Sequence, residues 1–307
     1  MLISVVVPTF QRNDLLARVL DSLAPGAQHV DASVYEVVVT DDGRASTAEA
    51  MVARDYPWAR WVEGPRRGPA ANRNNGARHA KGDWLAFIDD DCIASPGWLQ
   101  GIVDLARGEA ADVIEGRTII PDDVDDPFLY GVRNETGGAF WTCNLVMKRS
   151  AFDAVGGLDA DFEEAAVEDM DFGWRLKKSG ARVLFSPDVL VMHPLRRLNW
   201  KGVVRSGLVM RWGLLFKLKK GESLPMGAAP PAVVAHVATS HVMNMLRGTV
   251  GLVRRPDPTR WKTNVFFQGF HWMTAPALIP YLAYWELRFR RELEHRDGRW
   301  VRRKTRA

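Results

Sequence analysis

Acidic residues gather at three places in the chain: Asp41 and Asp42 in VVVTDDG, Asp89 to Asp91 in WLAFIDDDC, and Glu168, Asp169 and Asp171 in VEDMDFGW. The middle group poses the sharpest question, because five mostly apolar residues that favour burial run straight into three like charges. Carboxylates so close repel one another, and each is costly to remove from water without a partner. Either the triplet is a solvated turn or a cation belongs there. Mg2+ and Mn2+ take oxygen ligands, commonly one or two carboxylates plus substrate phosphates. His193, in VLVMHPLRR, offers an imidazole that Mn2+ accepts, although an isolated His is more often a core or surface residue. The third group sits where a helix begins. There acids offset the helix dipole with no further role, or one of them, ionised and near a hydroxyl, acts as a general base.

The elements that must position these residues are legible from periodicity. Leu2 to Val7, Glu36 to Thr40, Arg60 to Val62 and Trp84 to Ile88 are β-branched or aromatic runs of strand length, stopped by Pro, Asp and Gly. Between them, Asn13 to Leu23 carries Leu15, Leu16, Val19, Leu20 and Leu23 at helical spacing, with Asn13 or Asp14 available as N-cap. Continuous apolar strands alternating with helices predict an α/β fold, a mostly parallel central sheet with helices on both faces. In such sheets ligands bind beyond the carboxyl ends of the strands. Pro8 and Thr9, Asp41 and Asp42, and Asp89 to Asp91 all follow strand ends, so three ends converge on one edge.

At 307 residues, 47% hydrophobic and 25% charged, the chain is globular in composition and long enough for two domains. We expect one over residues 1–200 and a mostly helical, apolar and basic one over 201–307. Two cysteines, Cys92 and Cys143, make no disulfide framework and fit a reducing cytoplasm. MLISVVVPTF reads as a first strand rather than a signal peptide. After residue 200 the uncharged windows lengthen, and 263–285 has the length of a membrane span but contains Pro276 and Pro280. Helices packed on the main domain or lying in a bilayer interface are the alternatives. Residues 286–307 carry nine Arg and Lys against four acids. Such a tail contacts anionic lipid headgroups or nucleic acid, or simply solubilises the chain. The aromatic, apolar stretch before it favours lipid, and no nucleic acid is expected as a partner.

Four stretches in order, ISVVVPTFQR, VVVTDDG, GPAANRNNGARHAKGDWLAFIDDD and GGLDADFEEAAVEDMDFGWRLKKSG, resemble the family 2 glycosyltransferases of the GT-A fold over residues 1–195. The resemblance implies an inverting, metal-dependent enzyme that moves a sugar from a nucleotide-diphosphate sugar to a hydroxyl of a saccharide or glycolipid acceptor. Asp89 and Asp91 match the family's DxD motif, which holds Mn2+ or Mg2+ against the donor diphosphate. His193 stands where some members complete the metal shell. Asp90, between the two, points elsewhere on an extended chain, toward the ribose. Asp42 matches the acid that hydrogen-bonds the nucleotide base, which favours a UDP-sugar, and Pro8 and Thr9 border the same pocket. Thr40 before the acids and Arg44 after Gly43 depart from the family's usual VVDDGS. Arg73, in the RN segment, is placed near the base or diphosphate, and Asp169, in the ED motif, is the catalytic base.

Glu168, Trp141 and Asn144 are expected on the acceptor side, Trp141 by packing against sugar C–H groups, and Gly156 and Gly157 in a tight turn beneath the site. The QxxRW motif of processive synthases is absent, which implies transfer of one or a few sugars. Together these place the chain in cell-envelope or polysaccharide biosynthesis, in the cytoplasm at the inner face of the membrane. Two other readings stand beside this one. A non-catalytic nucleotide-sugar-binding module would keep the same fold. A sugar nucleotidyltransferase on a related sheet would be expected to carry a glycine-rich loop after strand one, where VVVPTFQRND has none.

Overall fold

The computed structural model describes residues 1–303 apart from Ser46, Asp122, Asp123, Arg255 and Asp297. Its main elements, in chain order, are β1 (Ile3–Thr9), α1 (Asn13–Leu23), β2 (Tyr35–Asp41), α2 (Glu49–Asp55), β3 (Ala59–Glu63), α3 (Pro69–His79), β4 (Trp84–Ile88), β5 (Ile93–Ala94) and α4 (Trp98–Arg107). They continue with β6 (Val113–Ile119), β7 (Leu129–Tyr130), β8 (Asn144–Lys148), α5 (Arg149–Ala154), α6 (Glu168–Lys178), β9 (Val183–Met192) and β10 (Arg196–Arg197). The last are α7 (Trp200–Leu208), α8 (Arg211–Lys220), α9 (Pro230–Arg254), α10 (Trp261–Glu292), β11 (Leu293–Arg296) and β12 (Arg299–Arg302). The chain divides into two compact units, Met1–Pro121 with Gly131–Pro194, and Asp122–Tyr130 with Leu195–Ala307.

The first unit is built on one eight-stranded sheet in the order β3-β2-β1-β4-β8-β6-β9-β5. Strands β3, β2, β1 and β4 run parallel, as do β6 and β9, while β8 lies antiparallel between β4 and β6 and β5 antiparallel to β9. Alternation along β1 explains the layers. Val5 and Val7 join Leu16, Leu20, Val37, Val39, Trp98 and Ile102 on one face. Val6 joins Val38, Ala77, Phe87, Phe152, Phe172 and Leu176 on the other. Adjacent residues thus feed opposite cores, which is why the strands read as unbroken apolar runs.

Helix α1 has the expected bounds but not the expected cap. Arg12 occupies the N-cap position without a side-chain capping bond, and its carbonyl accepts from Leu15 and Leu16 instead. Asn13 donates its amide to the Thr47 carbonyl at 3.3 Å. Helix α3 departs further from the amphipathic pattern, since its buried residues include Asn72, Arg73 and Asn75. It packs on β1 and β2 through small residues: a Cβ at Gly76 would lie 2.4 Å from Val6. Its amides are satisfied inward. Thr40 donates its hydroxyl to Asn72 Oδ1 at 2.7 Å and accepts from Asn75 Nδ2 at 3.0 Å. The departure of Thr40 from the usual family residue therefore has a structural role, as the anchor of this helix.

The second unit is helical, with a core of Val233, Val237, Leu278, Leu282 and Ala283, a β11–β12 hairpin and a short β7–β10 ladder. Helix α10 runs unbroken through Pro276 and Pro280. No helix among the described residues is long and apolar enough to cross a membrane. The basic tail is less available than its composition implies. Arg288 and Arg302 pair with Glu292 at 2.6 and 2.8 Å, and Arg290 with Glu286 at 2.7 Å. Asp297 and Lys304 to Ala307, part of that tail, lie outside the described residues.

Candidate active site

Every acidic group singled out in the sequence lies in the first unit, and the ends of β1, β2 and β4 bring them together with the start of α6. Asp41 closes β2 and serves the fold. Its carboxylate accepts from the backbone of Gly43 and Ala48 at 2.7 and 2.6 Å and from Trp61 Nε1 at 3.2 Å. Asp42 follows, buried, with its backbone N–H donated to the Thr9 carbonyl at 3.0 Å and its Oδ1 accepting from Arg66 N at 2.8 Å. Burial raises its pKa above the ordinary carboxylate value against the pull of these amides. The close approach that seats it needs Gly64, where a Cβ would stand 2.3 Å from Asp42 Oδ1.

The triplet after β4 splits three ways. Asp89, half-buried, accepts from Arg73 Nη2 at 2.6 Å; burial opposes its charge, but Arg73 outweighs it and holds the carboxyl below its usual value. Asp90 has no exposed surface and turns back under the strand end. It accepts from Thr9 Oγ1 at 2.7 Å and from Arg12 Nε at 3.1 Å, and its other oxygen takes Arg12 Nη2. The expectation that Asp90 reaches a ribose is corrected by this geometry, because both its oxygens are committed inside the protein. Burial still pushes its carboxyl up to about 7. Asp91 Oδ2 accepts from Arg12 Nη1 at 3.1 Å, while its Oδ1 lies 3.7 Å from His193 Nε2.

Sequence reasoning missed Arg12, the cation that bridges Asp90 and Asp91. Gln11, just before it, holds φ at +53°, a left-handed turn that a non-glycine residue adopts only under constraint. The signal was present in VVVPTFQRND, a cation one strand end away from three acids.

His193 follows β9 directly, and its backbone N–H donates to the Ile119 carbonyl at 2.8 Å. Its Nδ1 is 2.9 Å from the Pro194 carbonyl. A carbonyl only accepts, so Nδ1 carries the hydrogen and Nε2 presents a lone pair toward Asp91. Two acceptors facing each other at 3.7 Å are stable with a proton or a cation between them. That is the electrostatic case for a cation site here, and an imidazole fixed through its far nitrogen is how metal-binding histidines are held. Among the described residues, the metal-ligating side chains that converge are Asp91, Cys92 and His193, all buried. Asp89 is not in that group.

Arg73 ties the triplet to α6. Its guanidinium also donates to Glu168 Oε1 at 3.5 Å, and its Nε is buried with no partner among the described residues. Three carboxylates raise its pKa further despite its burial. Glu168 is buried, with Oε2 accepting from Ala166 N at 2.7 Å, and burial raises its pKa. Asp169, half-buried, is oriented by a residue the sequence reading passed over: Thr142 donates its hydroxyl to Oδ1 at 2.8 Å and its backbone N–H to Oδ2 at 3.2 Å. Burial, then the Glu168 charge, push Asp169 up to about 7. Asp171, by contrast, pairs with Arg175 in the next turn at 2.7 Å. The loop that delivers Thr142 is folded by buried Glu115, which collects the N–H groups of Gly138 and Phe140 at 2.9 and 2.8 Å.

On the expected acceptor side, Gly156 and Gly157 both take positive φ. A Cβ at Gly157 would lie 2.7 Å from Asn74 Oδ1. Asn74 clamps the turn by exchanging hydrogen bonds with Leu158 at 2.7 and 2.9 Å. Trp141 is half-buried, its Nε1 3.4 Å from the Arg133 carbonyl. The expectation for Asn144 is corrected. Its amide sits inside the sheet, accepting from Trp98 Nε1 and donating to the carbonyls of Arg117 and Val189, each at 2.9 Å, and it does not face an acceptor.

A mixed sheet that gathers acids at its strand ends, facing a helix that opens with an acid pair, is the architecture of GT-A glycosyltransferases. The fold comparisons agree. Staphylococcus aureus TarS residues 1–349 superpose with a TM-score of 0.54 at 15% identity, over 99% of this chain and 97% of that one. The mannosyltransferase PcManGT from Pyrobaculum calidifontis, solved with GDP-Man and Mn2+, gives 0.56 at 19% identity, over 93% and 86%. Residues 4–133 match the family described as Glycosyl transferase family 2. Validoxylamine A glucosyltransferase of Streptomyces hygroscopicus subsp. limoneus is 30% identical over 221 residues, covering 58% of this chain and 48% of that protein. The family match, these relatives and the fold neighbours together support a family 2 glycosyltransferase with the GT-A fold. It spans about half the length of the first curated relatives it matches, and others are named for O-antigen and succinoglycan biosynthesis.

Proposed function

We propose that the chain transfers a single sugar from a nucleotide-diphosphate sugar, UDP-linked by preference, to a hydroxyl of a saccharide or lipid-linked acceptor, with inversion. The observation that carries this reading is Asp169, held by Thr142 through both oxygens and set across Arg73 from the triplet. Residues 1–200 carry the chemistry. Asp42, Pro8 and Thr9 border the nucleotide; Asp89 and Arg73 face the donor; Asp91 and His193 hold Mn2+ or Mg2+. Bound there, the cation would neutralise the leaving diphosphate. Asp169 takes the proton from the acceptor hydroxyl as that oxygen attacks the anomeric carbon, with Trp141 and Glu168 beside the acceptor.

Thermal unfolding with nucleotide sugars tests the donor side. A UDP-sugar raises Tm only with Mn2+ or Mg2+ present, and a chelator or Asp91→Ala removes the increment. Equal stabilisation with and without chelator would refute the cation site.

Residues 201–307 are proposed to rest on an anionic membrane surface at the cytoplasmic side, in envelope or polysaccharide assembly. Exposed Met243, Leu246, Val250 and Val253 recur every three or four residues along α9, beside exposed Arg247 and Arg254. That is one apolar, cationic helix face of the interfacial kind. The chain is expected to sediment with anionic vesicles and less with neutral ones, and Leu246→Glu with Val250→Glu to abolish it. Full retention in the supernatant with both vesicles would remove the membrane role.

A further inference from the structure

Cys92 follows the acid triplet directly, and its backbone N–H donates to the Asp89 carbonyl at 3.1 Å. That turn folds its thiol under the strand end, fully buried, with Sγ 3.9 Å from Asp91 Oδ1. Ligand atoms of Asp91, Cys92 and His193 all lie within 4.8 Å of one another. Zinc bonds of about 2.0–2.3 Å place neighbouring ligands of a tetrahedral ion about 3.3–3.8 Å apart. The 3.7 Å from Asp91 to His193 falls in that range, and the 3.9 Å to Cys92 is a small shift away. The His193 lone pair already points inward, for the reason given above.

An oxygen–nitrogen pair with a thiol beside it is a different donor set from the all-oxygen surroundings that Mg2+ prefers. Thiolate favours soft and borderline cations. We propose that Cys92 makes this centre a site for thiophilic divalent cations, of the Zn2+ or Cd2+ kind, bound by Asp91, His193 and the Cys92 thiolate together. The inference rests on the reading of Asp91 and His193 as a cation site. As the sulfur–metal bond forms, the S–H proton passes to solvent, so the cation is held more tightly than Mn2+ and displaces it. The enzyme would then be blocked by a cation that its oxygen ligands alone would not select.

Cd2+ titration of the full chain, followed by the ultraviolet thiolate-to-cadmium charge-transfer absorption, tests this without reference to turnover. Mn2+ binding is followed in parallel by electron paramagnetic resonance. The expected result is a band that saturates at one Cd2+ per chain in the wild type and in Cys143→Ser, with Mn2+ released as it grows. The band is lost in Cys92→Ser and Cys92→Ala, while Mn2+ still binds both, showing that the site remains folded. A band that survives in Cys92→Ser, or one absent from a wild type that binds Mn2+, overturns the inference alone. Failure of the wild type to bind either ion overturns the cation site as well.

Discussion

Asp169→Asn loses on the order of 10²–10⁴-fold in kcat, the usual contribution of a general base, while UDP-sugar and Mn2+ still raise Tm. The substitution fits the site. An amide can accept from the Thr142 N–H and donate to its hydroxyl, the two groups that hold Asp169 now. It is also expected to stabilise the cation-free protein. Asp169 is raised from 3.8 to about 7, so between those values the folded chain holds a proton that the unfolded chain has released. Stability therefore declines as pH rises through that window, and above it the full cost of the buried charge is present. Removing the charge recovers on the order of 2 kcal/mol at pH 8, once the effect of burial is discounted for partial exposure. Activity runs the other way. The wild-type kcat/KM falls as pH drops through the range where Asp169 takes a proton, and added Mn2+ moves that fall to lower pH. Residual turnover in Asp169→Asn with the same acid limb would take the assignment away.

Arg73→Met is the second large effect, and it falls on the fold. Arg73 is 5% exposed and binds Asp89 and Glu168, with Asp169 close enough to be felt. Methionine fills the volume and leaves these acids without their cation, a loss of about 3–5 kcal/mol for a broken buried pair. The sign of its pH dependence is fixed by Asp89, whose carboxyl Arg73 holds below the ordinary value. That stabilisation is present above the ordinary carboxylate range and is lost as pH falls below it. Urea midpoints of wild type and variant should therefore lie far apart at pH 8 and converge as the acids take protons. An equal gap at pH 8 and pH 4 would mean that Arg73 matters for packing and not for charge. Arg73→Lys keeps the charge but not the fork that reaches two carboxylates, and should recover only part of the loss.

The parallel half of the sheet could be read from the sequence because each strand there is an apolar run ended by Pro, Asp or Gly. Helix α1 could be read because four buried leucines and valines mark its face. Strand β8 was harder. NLVMK is short, and its antiparallel insertion between β4 and β6 follows from pairings 62 and 30 residues apart, such as Leu85 with Met147 and Glu115 with Leu145. Asp90 shows the same limit at the site. Alternation along an extended strand separates it from Asp89 and Asp91, but what waits on its side, Thr9 and Arg12, is decided by the neighbouring strand. Asn144 misled because it stands beside Trp141 and Thr142 at the mouth of the site, while its own side chain is the first of β8 and points into the sheet. For the basic tail, composition counts the charges and not partners such as Glu286 and Glu292.

Under the proposed function, helix α3 acts as one spindle for both substrates. Successive residues Asn72, Arg73 and Asn74 hold, in turn, the Thr9 and Thr40 carbonyls, the Asp89 and Glu168 carboxylates, and the Gly157–Leu158 turn. Under the proposed roles, a single helical turn sets the spacing between the sugar that leaves and the hydroxyl that receives it. Substitutions that rotate this helix would spoil recognition of donor and acceptor in step. Retuning one substrate alone has to be sought off the helix, in the Gly64 to Arg67 loop that borders Asp42 or around Trp141.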